Sequence, residues 1–347
     1  MDFSNKLTSW YLDNKRDLPW RKTKEPYFIW LSEIILQQTK IEQGMSFYYS
    51  FIQSYPTVFH LANASEQEVL KLWQGLGYYS RARNLHHSAK YIVENYNGIF
   101  PSTYKELLKL KGIGDYTASA ISSICFNEPH AVVDGNVYRV LSRVFGLQTP
   151  INTSKGIKEF KLLAQEVMNT ENPGTYNQAI MDFGALCCSP RNPSCETCIF
   201  QNNCYALLQK EIHNFPVKTS KTKVRNRFFN YLVIVSSDNK TLLQQRTEQG
   251  IWKNLYEFPL LETSDNCYLN HEVIQQEIPF TQVQSISLYN DIPIIHKLSH
   301  QHLHIRFWFV ITTEIKDKGV GLSQITSFPV PVVLHNFIEK ILLLNAS

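Results

Sequence analysis

Four cysteines in one short stretch have the spacing of metal ligands. They are Cys188, Cys195, Cys198 and Cys204, in the pattern C-x6-C-x2-C-x5-C. Four thiolates can bind either a zinc ion or an iron–sulfur cluster. Zinc modules usually contain two paired C-x2-C units, and this stretch contains one, so the spacing favours a [4Fe–4S] cluster. Free cysteines are usually buried singly, which argues against unligated thiols, although the neighbouring Cys187 is predicted to be a small packing residue.

A glycine-rich turn in "LKGIGDYTA" (110–118) has the composition of an anion site. Gly112 and Gly114 allow a tight turn and a close approach of the backbone to a phosphate. The N–H groups at the start of the following helix would then face that anion. A glycine turn between two helices with no ligand would have the same letters, so the motif alone leaves both interpretations open.

Two carboxyl groups are candidates for acid–base chemistry. Glu33 lies in "WLSEIILQQT" (30–39), within the most apolar predicted helix, where burial would raise its pKa and suit it to be a general acid. A buried glutamate paired with an arginine is the structural alternative. Asp134 directly precedes an amphipathic helix, so it can serve as an N-cap, as a catalytic carboxylate, or as both.

The elements that must position these residues change character near residue 212. Before it, hydrophobic spacing predicts helices over 28–41, 106–110, 117–124 and 137–145, joined by short connections. After a polar, basic stretch that reads as a linker, residues 230–246 predict a β-hairpin, and residues 302–315 predict a long strand. We therefore expect a mainly α domain followed by a smaller α+β domain.

Charge follows the same division. Residues 1–227 contain 26 Lys and Arg against 19 Asp and Glu, whereas residues 228–347 contain 8 against 11. The basic first part is compatible with a polyanionic partner and equally with ordinary surface charge. No apolar run approaches the roughly 18 residues of a membrane span, and the first residues lack a secretory pattern. We expect a cytoplasmic protein without a membrane partner, associated with the nucleoid in a bacterium.

Together the motifs resemble one family. The cysteine loop, "LKGIGDYTA" and "VVDGNVYRVLSR" (132–143) are similar to those of the endonuclease III superfamily, and "LSEIILQQT" (31–39) is similar to the corresponding segment of adenine DNA glycosylases of the MutY type. The resemblance covers nearly the whole chain. It implies a helix–hairpin–helix glycosylase domain at 1–211 with a [4Fe–4S] loop at 188–204. A basic linker at 212–227 and a Nudix-like domain at 228–347 would follow.

The resemblance also implies a reaction. Glu33 would protonate adenine in a flipped nucleotide, and Asp134 would stabilise the cationic sugar by its charge or by transient covalent attachment. Tyr116 stands where related lyases have a nucleophilic lysine. A phenol cannot form a Schiff base, so the resemblance implies base removal without strong lyase activity.

Further residues are assigned to DNA and base binding by the same resemblance. They are Arg16, Trp20 and Arg21 at the mouth of the base pocket, Gln38 and Thr39 near the opposite strand, the wedge residue Tyr78, the hairpin residues Gly112 and Gly114, and Gln178. Some relatives have glutamate at the position of Gln178, so an ionic contact to adenine is not expected there.

Two segments of the second domain also resemble parts of this family. "GIWKNLYEFP" (250–259) is similar to a Nudix segment, but the glutamate cluster needed for pyrophosphate hydrolysis does not follow it. "HKLSHQHLH" (296–304) resembles the loop that reads 8-oxoguanine, in which Ser299 would bond the damaged base. Leu298, where many relatives have phenylalanine, and His300 flank it. The histidines of this stretch predict a solvated or DNA-facing strand face rather than a metal site.

The expected partner is duplex DNA containing adenine opposite 8-oxoguanine or guanine, bound by a monomer. Three alternatives remain open. One is an endonuclease III-type glycosylase/lyase for oxidised pyrimidines, which needs a lysine nucleophile. Another is an iron–sulfur DNA-binding protein without catalysis, disfavoured by the presence of both Glu33 and Asp134. The third, a nucleotide pyrophosphatase, is disfavoured by the missing glutamate cluster.

Overall fold

The computed structural model describes residues 3–219, 224–278, 282–315 and 319–345. Backbone contacts divide the chain into two compact units. The first unit comprises Met1–Asn63 and Asn84–Ser220, and the second comprises Ala64–Arg83 and Lys221–Ser347. The segment 64–83, which the sequence analysis places in the helical domain, thus belongs to the same compact unit as the C-terminal residues.

The chain through residue 214 is helical. Its helices are α1 (Phe3–Asn14), α2 (Pro26–Ile35), α3 (Ile41–Ser54), α4 (Val58–Asn63), α5 (Glu66–Leu72), α6 (Ser80–Tyr96), α7 (Tyr104–Leu107), α8 (Asp115–Phe126), α9 (Gly135–Phe145), α10 (Ser154–Glu166), α11 (Pro173–Leu186) and α12 (Tyr205–Leu208). Short 3-10 helices lie at Pro19–Arg21, Cys195–Thr197 and Ile212–Asn214. No helix in the described ranges is long and apolar enough to cross a membrane.

Helix α2 is the buried centre of the first unit. Trp30, Leu31 and Ile35 are completely buried, and α2 packs against α3 and α8. The predicted helix through residue 41 is too long, because α2 ends at Ile35 and α3 begins at Ile41. Gln38 interrupts the apolar run with a left-handed backbone at φ +54°, which a right-handed helix cannot accommodate.

Helices α8, α9 and α11 complete the frame around the site. Helix α8 begins directly after Gly114, and α9 begins directly after Asp134, as the sequence predicts. Helix α11 packs against α1, α8 and α9, with Tyr176, Ile180 and Phe183 almost fully buried. The starts of α8 and α9 are therefore held beside α2 and α11 by one continuous core.

A mixed β-sheet forms the second unit. Its strands are β1 (Arg225–Ser236), β2 (Lys240–Leu242), β5 (Leu260–Thr263), β6 (Val283–Leu288), β7 (Ile294–Lys297), β8 (Gln301–Thr312) and β9 (Gly319–Gly321), and β3 (Gln244–Gln245) pairs with β4 (Tyr256–Glu257) separately. The order is β6-β8-β1-β2-β9, with β5 also paired to β1 and β7 to β8. The predicted hairpin and long strand are confirmed as β1–β2 and β8.

Two helices cover the sheet. Helix α13 (His271–Glu277) contributes Ile274 to a cluster with Leu232, Ile234 and Trp308. Helix α14 (Val332–Asn345) contributes Phe337, which stacks on Phe307 with ring centroids 3.7 Å apart. The full parallel register of β1 on β8 places these apolar residues at the centre of the sheet.

The β7–β8 hairpin carries the predicted reading loop at its tip. Lys297 pairs with His302, and the Leu298 N–H donates to the Gln301 carbonyl at 2.8 Å. This closes a tight turn with Ser299 and His300 exposed at its end. Past the turn, Leu303 and Ile305 are fully buried whereas His302 and His304 are partly exposed, which is the alternation that the sequence predicts.

Candidate active site

The first unit contains a cavity of about 890 Å³ between α2, α8, α9 and α11. Many residues that the sequence analysis selects line it together. They are Arg16, Trp20, Arg21, Glu33, Gln38, Thr39, Tyr116, Asp134 and Gln178. Residues from five separate stretches of the chain are thereby brought to one space, which is large enough for a small planar ligand.

Glu33 projects from α2 into this cavity. Glu33 is partly buried and lines the cavity, and the neighbouring Ile34 and Ile35 are buried in the core. Burial raises its pKa from 4.5 to about 7, and the negative charge of Asp134 adds to the rise. A hydrogen bond from Tyr116 and the charge of Arg21 oppose it. A carboxyl with this pKa holds or releases a proton near neutral pH, as a general acid must.

Asp134 occupies the N-cap of α9. Its Oδ1 accepts hydrogen bonds from the N–H groups of Asn136 and Val137 at 2.9 and 2.8 Å, and its Oδ2 accepts one from the Asn136 side chain at 2.9 Å. Burial raises the pKa of Asp134, while these hydrogen bonds stabilise its anion. The sequence alone is compatible with an N-cap, a catalytic carboxylate, or both. The structure shows that Asp134 caps α9 and that its carboxyl group also lines the cavity.

Tyr116 lies in the first turn of α8, beside both carboxyl groups. Burial raises its pKa well above the usual value, and the negative charges of Glu33 and Asp134 raise it further. Its hydroxyl donates to the Glu33 carboxyl, and the hydroxyl oxygen also lies 3.2 Å from Met181 Sδ. The phenol is therefore a neutral hydrogen-bond donor at neutral pH, not a nucleophile.

A buried aspartate that the sequence analysis missed fixes the arginines of the cavity. Asp182 in α11 is fully buried and accepts hydrogen bonds from Arg21 Nη2 at 2.7 Å and Arg16 Nε at 2.9 Å. Burial disfavours the Asp182 anion, but the hydrogen bonds from Arg21 and Arg16 outweigh it and lower the pKa. The signal in the sequence was an acidic residue among apolar neighbours in "AIMDFGAL" (179–186), which requires a cationic partner if it is buried.

Two further contacts shape the wall of the cavity. The Tyr11 hydroxyl donates to the Gln178 side-chain oxygen at 2.6 Å, so Gln178 has its amide N–H groups left for the cavity. The Trp20 ring packs edge-on against Tyr48, with ring centroids 5.1 Å apart. Tyr11 and Tyr48 were not among the predicted site residues, because their role is to orient other side chains.

The glycine hairpin before α8 has two glycines with different requirements. Gly112 has φ +84°, and a Cβ there would lie 2.7 Å from the Asn84 Cβ. Gly114 has an extended backbone, and a Cβ there would meet open space. The fold therefore needs glycine at 112, whereas Gly114 leaves room beside the first turn of α8 for a ligand.

Two predicted DNA-contacting residues have strained backbones. Gln38 and Tyr78 have φ values of +54° and +48°, in the left-handed region that side chains other than glycine seldom adopt. Both are exposed. Such conformations are often associated with functional sites, because folding alone does not favour them.

Tyr78 and the tip of the β7–β8 hairpin meet within the second unit. The Tyr78 hydroxyl and Ser299 Oγ are 2.5 Å apart and share a hydrogen bond. The Tyr78 ring also lies under the Arg81 guanidinium at 5.5 Å. Leu298 is partly buried, and His300 is exposed. The structure thus joins two residues that sequence reasoning assigned separately.

The cysteine loop surrounds a smaller cavity of the first unit. Cys188, Cys195, Cys198 and Cys204 all line it, together with Cys187. Cys187, which the sequence predicts to be a small packing residue, places its thiol 3.9 Å from the Ser194 carbonyl. Within the described ranges no group of three or more His, Cys, Asp or Glu residues is arranged around a single ion. The four thiols that line this cavity are a chemically suitable donor set for an iron–sulfur cluster.

Arg143 closes this cavity on one side. It is almost fully buried, its Nη1 lies 3.4 Å from Cys188 Sγ, and its guanidinium donates to the carbonyls of Ser189 and Pro190 at 2.8 and 3.1 Å. A buried cation pointing at a sulfur is suited to a site that gathers thiolate charge.

Comparison with known proteins agrees with the fold and the cavity. A family model described as HhH-GPD superfamily base excision DNA repair protein matches residues 31–165, and one described as NUDIX domain matches residues 230–340. The helical unit with its hairpin and cavity thus defines a base excision DNA repair protein of the helix–hairpin–helix class. An adenine DNA glycosylase of Buchnera aphidicola subsp. Acyrthosiphon pisum is 34% identical over 98% of this chain and 98% of its own. The human adenine DNA glycosylase is 32% identical over 86% of this chain and 65% of its own. The chain belongs to the adenine DNA glycosylase family.

Solved structures support the helical fold. A thermostable thymine-DNA glycosylase superposes with a TM-score of 0.56 at 30% identity, covering 60% of this chain and 95% of its own. A trapped endonuclease III–DNA covalent intermediate superposes with a TM-score of 0.52 at 21% identity, covering 60% of this chain and 94% of its own. The second likeness shows the fold alone.

Proposed function

We propose that the protein removes adenine from duplex DNA where adenine is mispaired with 8-oxoguanine or guanine. It hydrolyses the N-glycosidic bond of a flipped nucleotide and leaves the strand uncut. The observation that carries this proposal is the pairing of Glu33, with a pKa of about 7, and the hydrogen-bonded Asp134 in one cavity.

Adenine requires an acid to leave. It is a poor leaving group as an anion, and protonation of a ring nitrogen makes it neutral on departure. Glu33 is the cavity carboxyl whose pKa allows it to carry that proton at neutral pH. The proton moves from the Glu33 carboxyl to the base as the glycosidic bond breaks.

The sugar then needs a negative partner. Departure of the base leaves an oxocarbenium-like cation, which a carboxylate stabilises. Asp134 accepts three N–H hydrogen bonds, so in this pair Asp134 is the anion and Glu33 the acid. Water then adds to C1′, and its proton passes to the Glu33 carboxylate, which restores the starting state.

Strand cleavage is not part of the proposal. A lyase needs an amine that attacks C1′, and Tyr116 provides a phenol with a raised pKa beside the two carboxyl groups. Lys40 also lines the cavity, from the exposed turn before α3. A Lys40→Ala variant is therefore the control for any scission that does occur.

Recognition of 8-oxoguanine is assigned to the hairpin tip of the second unit. The damaged base differs from guanine by an N7–H donor and an O8 acceptor, and a serine hydroxyl can pair with either. Ser299 is exposed at the tip, and its Oγ shares a hydrogen bond with the Tyr78 hydroxyl. The wedge and the reading residue are thereby ordered as a pair.

We also propose that Cys188, Cys195, Cys198 and Cys204 hold a [4Fe–4S] cluster. The support is the cysteine spacing, the shared cavity and the Arg143 guanidinium facing Cys188. The cluster would cross-link the loop 188–204 through its four thiolates.

Incubation with defined duplexes tests the function. We expect adenine release from adenine opposite 8-oxoguanine and opposite guanine, with strand scission only after alkali. Duplexes with thymine glycol opposite adenine should remain intact. Cleavage of the thymine glycol strand without alkali would instead support the endonuclease III-type alternative.

Ser299→Ala tests the reading residue. We expect the ratio of excision rates opposite 8-oxoguanine and guanine to fall, because a hydroxyl contact to the damaged base is lost and such a contact is worth roughly 1 kcal/mol. Ser285→Ala, an exposed serine on β6, is the matched control and should leave the ratio as it is. An unchanged ratio in Ser299→Ala would remove the hairpin tip from recognition.

A further inference from the structure

Lys161 in α10 connects two parts of the proposed machinery without lining the cavity. Its ammonium donates to Asp115 Oδ2 at 3.0 Å, to Ser119 Oγ at 3.1 Å and to the Ala131 carbonyl at 2.7 Å. These bonds use all three donors of the group. The Lys161 side chain is 28% exposed, so the ammonium is anchored and partly shielded, unlike most surface lysines.

One end of this contact lies at the phosphate-binding hairpin. Asp115 is the first residue of α8 and directly follows Gly114. Its carboxylate is about half exposed and also accepts a hydrogen bond from the Tyr104 hydroxyl at 2.5 Å. A phosphate held at the start of α8 would be repelled by this carboxylate, because like charges at short range are unfavourable. Lys161 supplies the compensating charge.

The other end lies in the loop that carries the catalytic carboxylate. Ala131 precedes Asp134 by three residues, and its N–H donates to the Gln165 side chain at 3.1 Å. Gln165 is four residues from Lys161, so one face of α10 holds both the N–H and the carbonyl of Ala131. The neighbouring Val132 N–H donates a hydrogen bond to the side-chain oxygen of Asn177 in α11 at 3.1 Å.

We propose that Lys161 is a positioning residue that ties the phosphate-binding hairpin to the loop bearing Asp134. It neutralises Asp115 where DNA phosphate binds, and it fixes Ala131 so that Asp134 stays at its place beside Glu33. The inference rests on the proposed function. It assigns Lys161 two separable effects, one on duplex binding and one on the rate of base release.

Four variants of the full chain separate these effects: Lys161→Met, Asp115→Asn, the double variant, and Lys161→Arg. The probe is a duplex with adenine opposite 8-oxoguanine. Binding is measured as Kd at two salt concentrations, and base release as the single-turnover rate with enzyme in excess. Lys158→Met, an exposed lysine of the same helix, is the matched control.

Lys161→Met should weaken binding about fivefold at low salt and less at high salt, because the exposed Asp115 charge is screened. It should also lower the single-turnover rate about tenfold, since small displacements of a catalytic group are costly. Adding Asp115→Asn to Lys161→Met should bring the Kd back to within about twofold of the unaltered chain, but the single-turnover rate should stay low. Lys161→Arg keeps the positive charge and can donate to both Asp115 and the Ala131 carbonyl. It should therefore retain both the Kd and the single-turnover rate of the unaltered chain.

Three results would overturn the proposal: an unchanged single-turnover rate in Lys161→Met, a double variant that binds no better than Lys161→Met, or equal losses in Lys158→Met. A purely structural role would lower the thermal midpoint and reduce both values together, with no rescue of Kd by Asp115→Asn. If the unaltered chain releases no adenine, the proposed function fails, and the binding measurements alone then decide the role of Lys161 at the hairpin.

Discussion

Glu33 and Asp134 differ in the hydrogen bonds that they receive from their surroundings. Asp134 accepts N–H groups at a helix N-terminus, which stabilise a negative charge. Glu33 lies in an apolar helix, where Tyr116 is its stabilising hydrogen-bond donor and burial dominates its pKa. Two similar side chains in one cavity thereby differ in how strongly their surroundings stabilise the anion.

Glu33→Gln should abolish adenine release and should also change stability in a pH-dependent way. Because the pKa of Glu33 rises from 4.5 to about 7 on folding, the folded chain binds this proton more tightly than the unfolded chain. Stability is therefore lost as pH rises from about 4.5 to about 7. Glutamine is neutral at all pH values, so the variant should be more stable than the unaltered chain at pH ~8, by at most about 3 kcal/mol.

Denaturant unfolding at about pH 5 and pH 8 measures this difference. It should be small at the lower pH, where Glu33 is itself neutral, and larger at the higher pH. Duplex binding should persist at both. Equal stability differences at the two pH values would show that the Glu33 carboxyl has an ordinary pKa.

Sequence reasoning found the residues whose neighbours along the chain reveal their role. Glu33 stands out in an apolar run, and Asp134 stands directly before a helix. Asp182 was missed because its partner Arg21 is 161 residues away. Tyr11 was missed for the same reason, since Gln178, which it orients, is 167 residues away.

At the scale of elements, the two glycines of the hairpin before α8 are expected to serve different purposes, one in stability and one in duplex binding. Gly112→Ala should destabilise the protein by about 1–3 kcal/mol, because it puts a side chain at positive φ and into Asn84. Gly114→Ala meets open space, so it should fold normally and weaken duplex binding by crowding a phosphate. Thermal unfolding and Kd together distinguish the two variants.

The two glycines are each other's control in this comparison. A Gly114→Ala variant that binds duplex normally would contradict the phosphate site. A Gly112→Ala variant of normal stability would show that the turn can adopt another conformation.

The boundaries of elements were less predictable than their existence. The apolar spacing of α2 continues past its end, so hydrophobicity alone extends the helix to residue 41. The actual end depends on the left-handed backbone of Gln38, and glutamine gives no local signal for that conformation. By contrast, Asp134 and Gly114 are ordinary helix-start residues, and α9 and α8 begin where they predict.

At the scale of the whole molecule, the chain divides within the predicted linker 212–227, where its composition changes, and also at both ends of the segment 64–83, where it does not. Residues 64–83 fall inside the range of the helical family model yet form one compact unit with the C-terminal residues. The Arg83 guanidinium donates to the Lys253 carbonyl at 2.8 Å, and the Tyr79 hydroxyl to the Val330 carbonyl at 3.3 Å. Contacts over such distances along the chain leave no trace in local patterns.

The cysteine loop gives a prediction for the purified protein. It should be brown and contain iron and inorganic sulfide in equal amounts. Cys198→Ser should lose both, because a ligand is removed. Cys187→Ser is the matched control, since Cys187 lines the same cavity but lies outside the ligand pattern, and it should keep the colour.

Iron, sulfide and zinc analysis with visible absorption decides this prediction. A colourless protein with one zinc ion per chain would contradict the cluster. Loss of iron in Cys187→Ser but not in Cys198→Ser would assign the ligand position to Cys187.

The cap formed by Asp134 has a consequence for cells that contain two forms of this protein. Asparagine is also a good N-cap, so an Asp134→Asn chain should fold, accumulate and still engage its mispairs. It would then shield each mispair from intact copies and from other repair enzymes. We expect the altered allele to raise mutation frequency even beside a normal gene, whereas a deletion would be silent there. The phenotype would depend on gene dosage, because the position proposed to carry the chemistry also caps α9 and tolerates asparagine in that structural role.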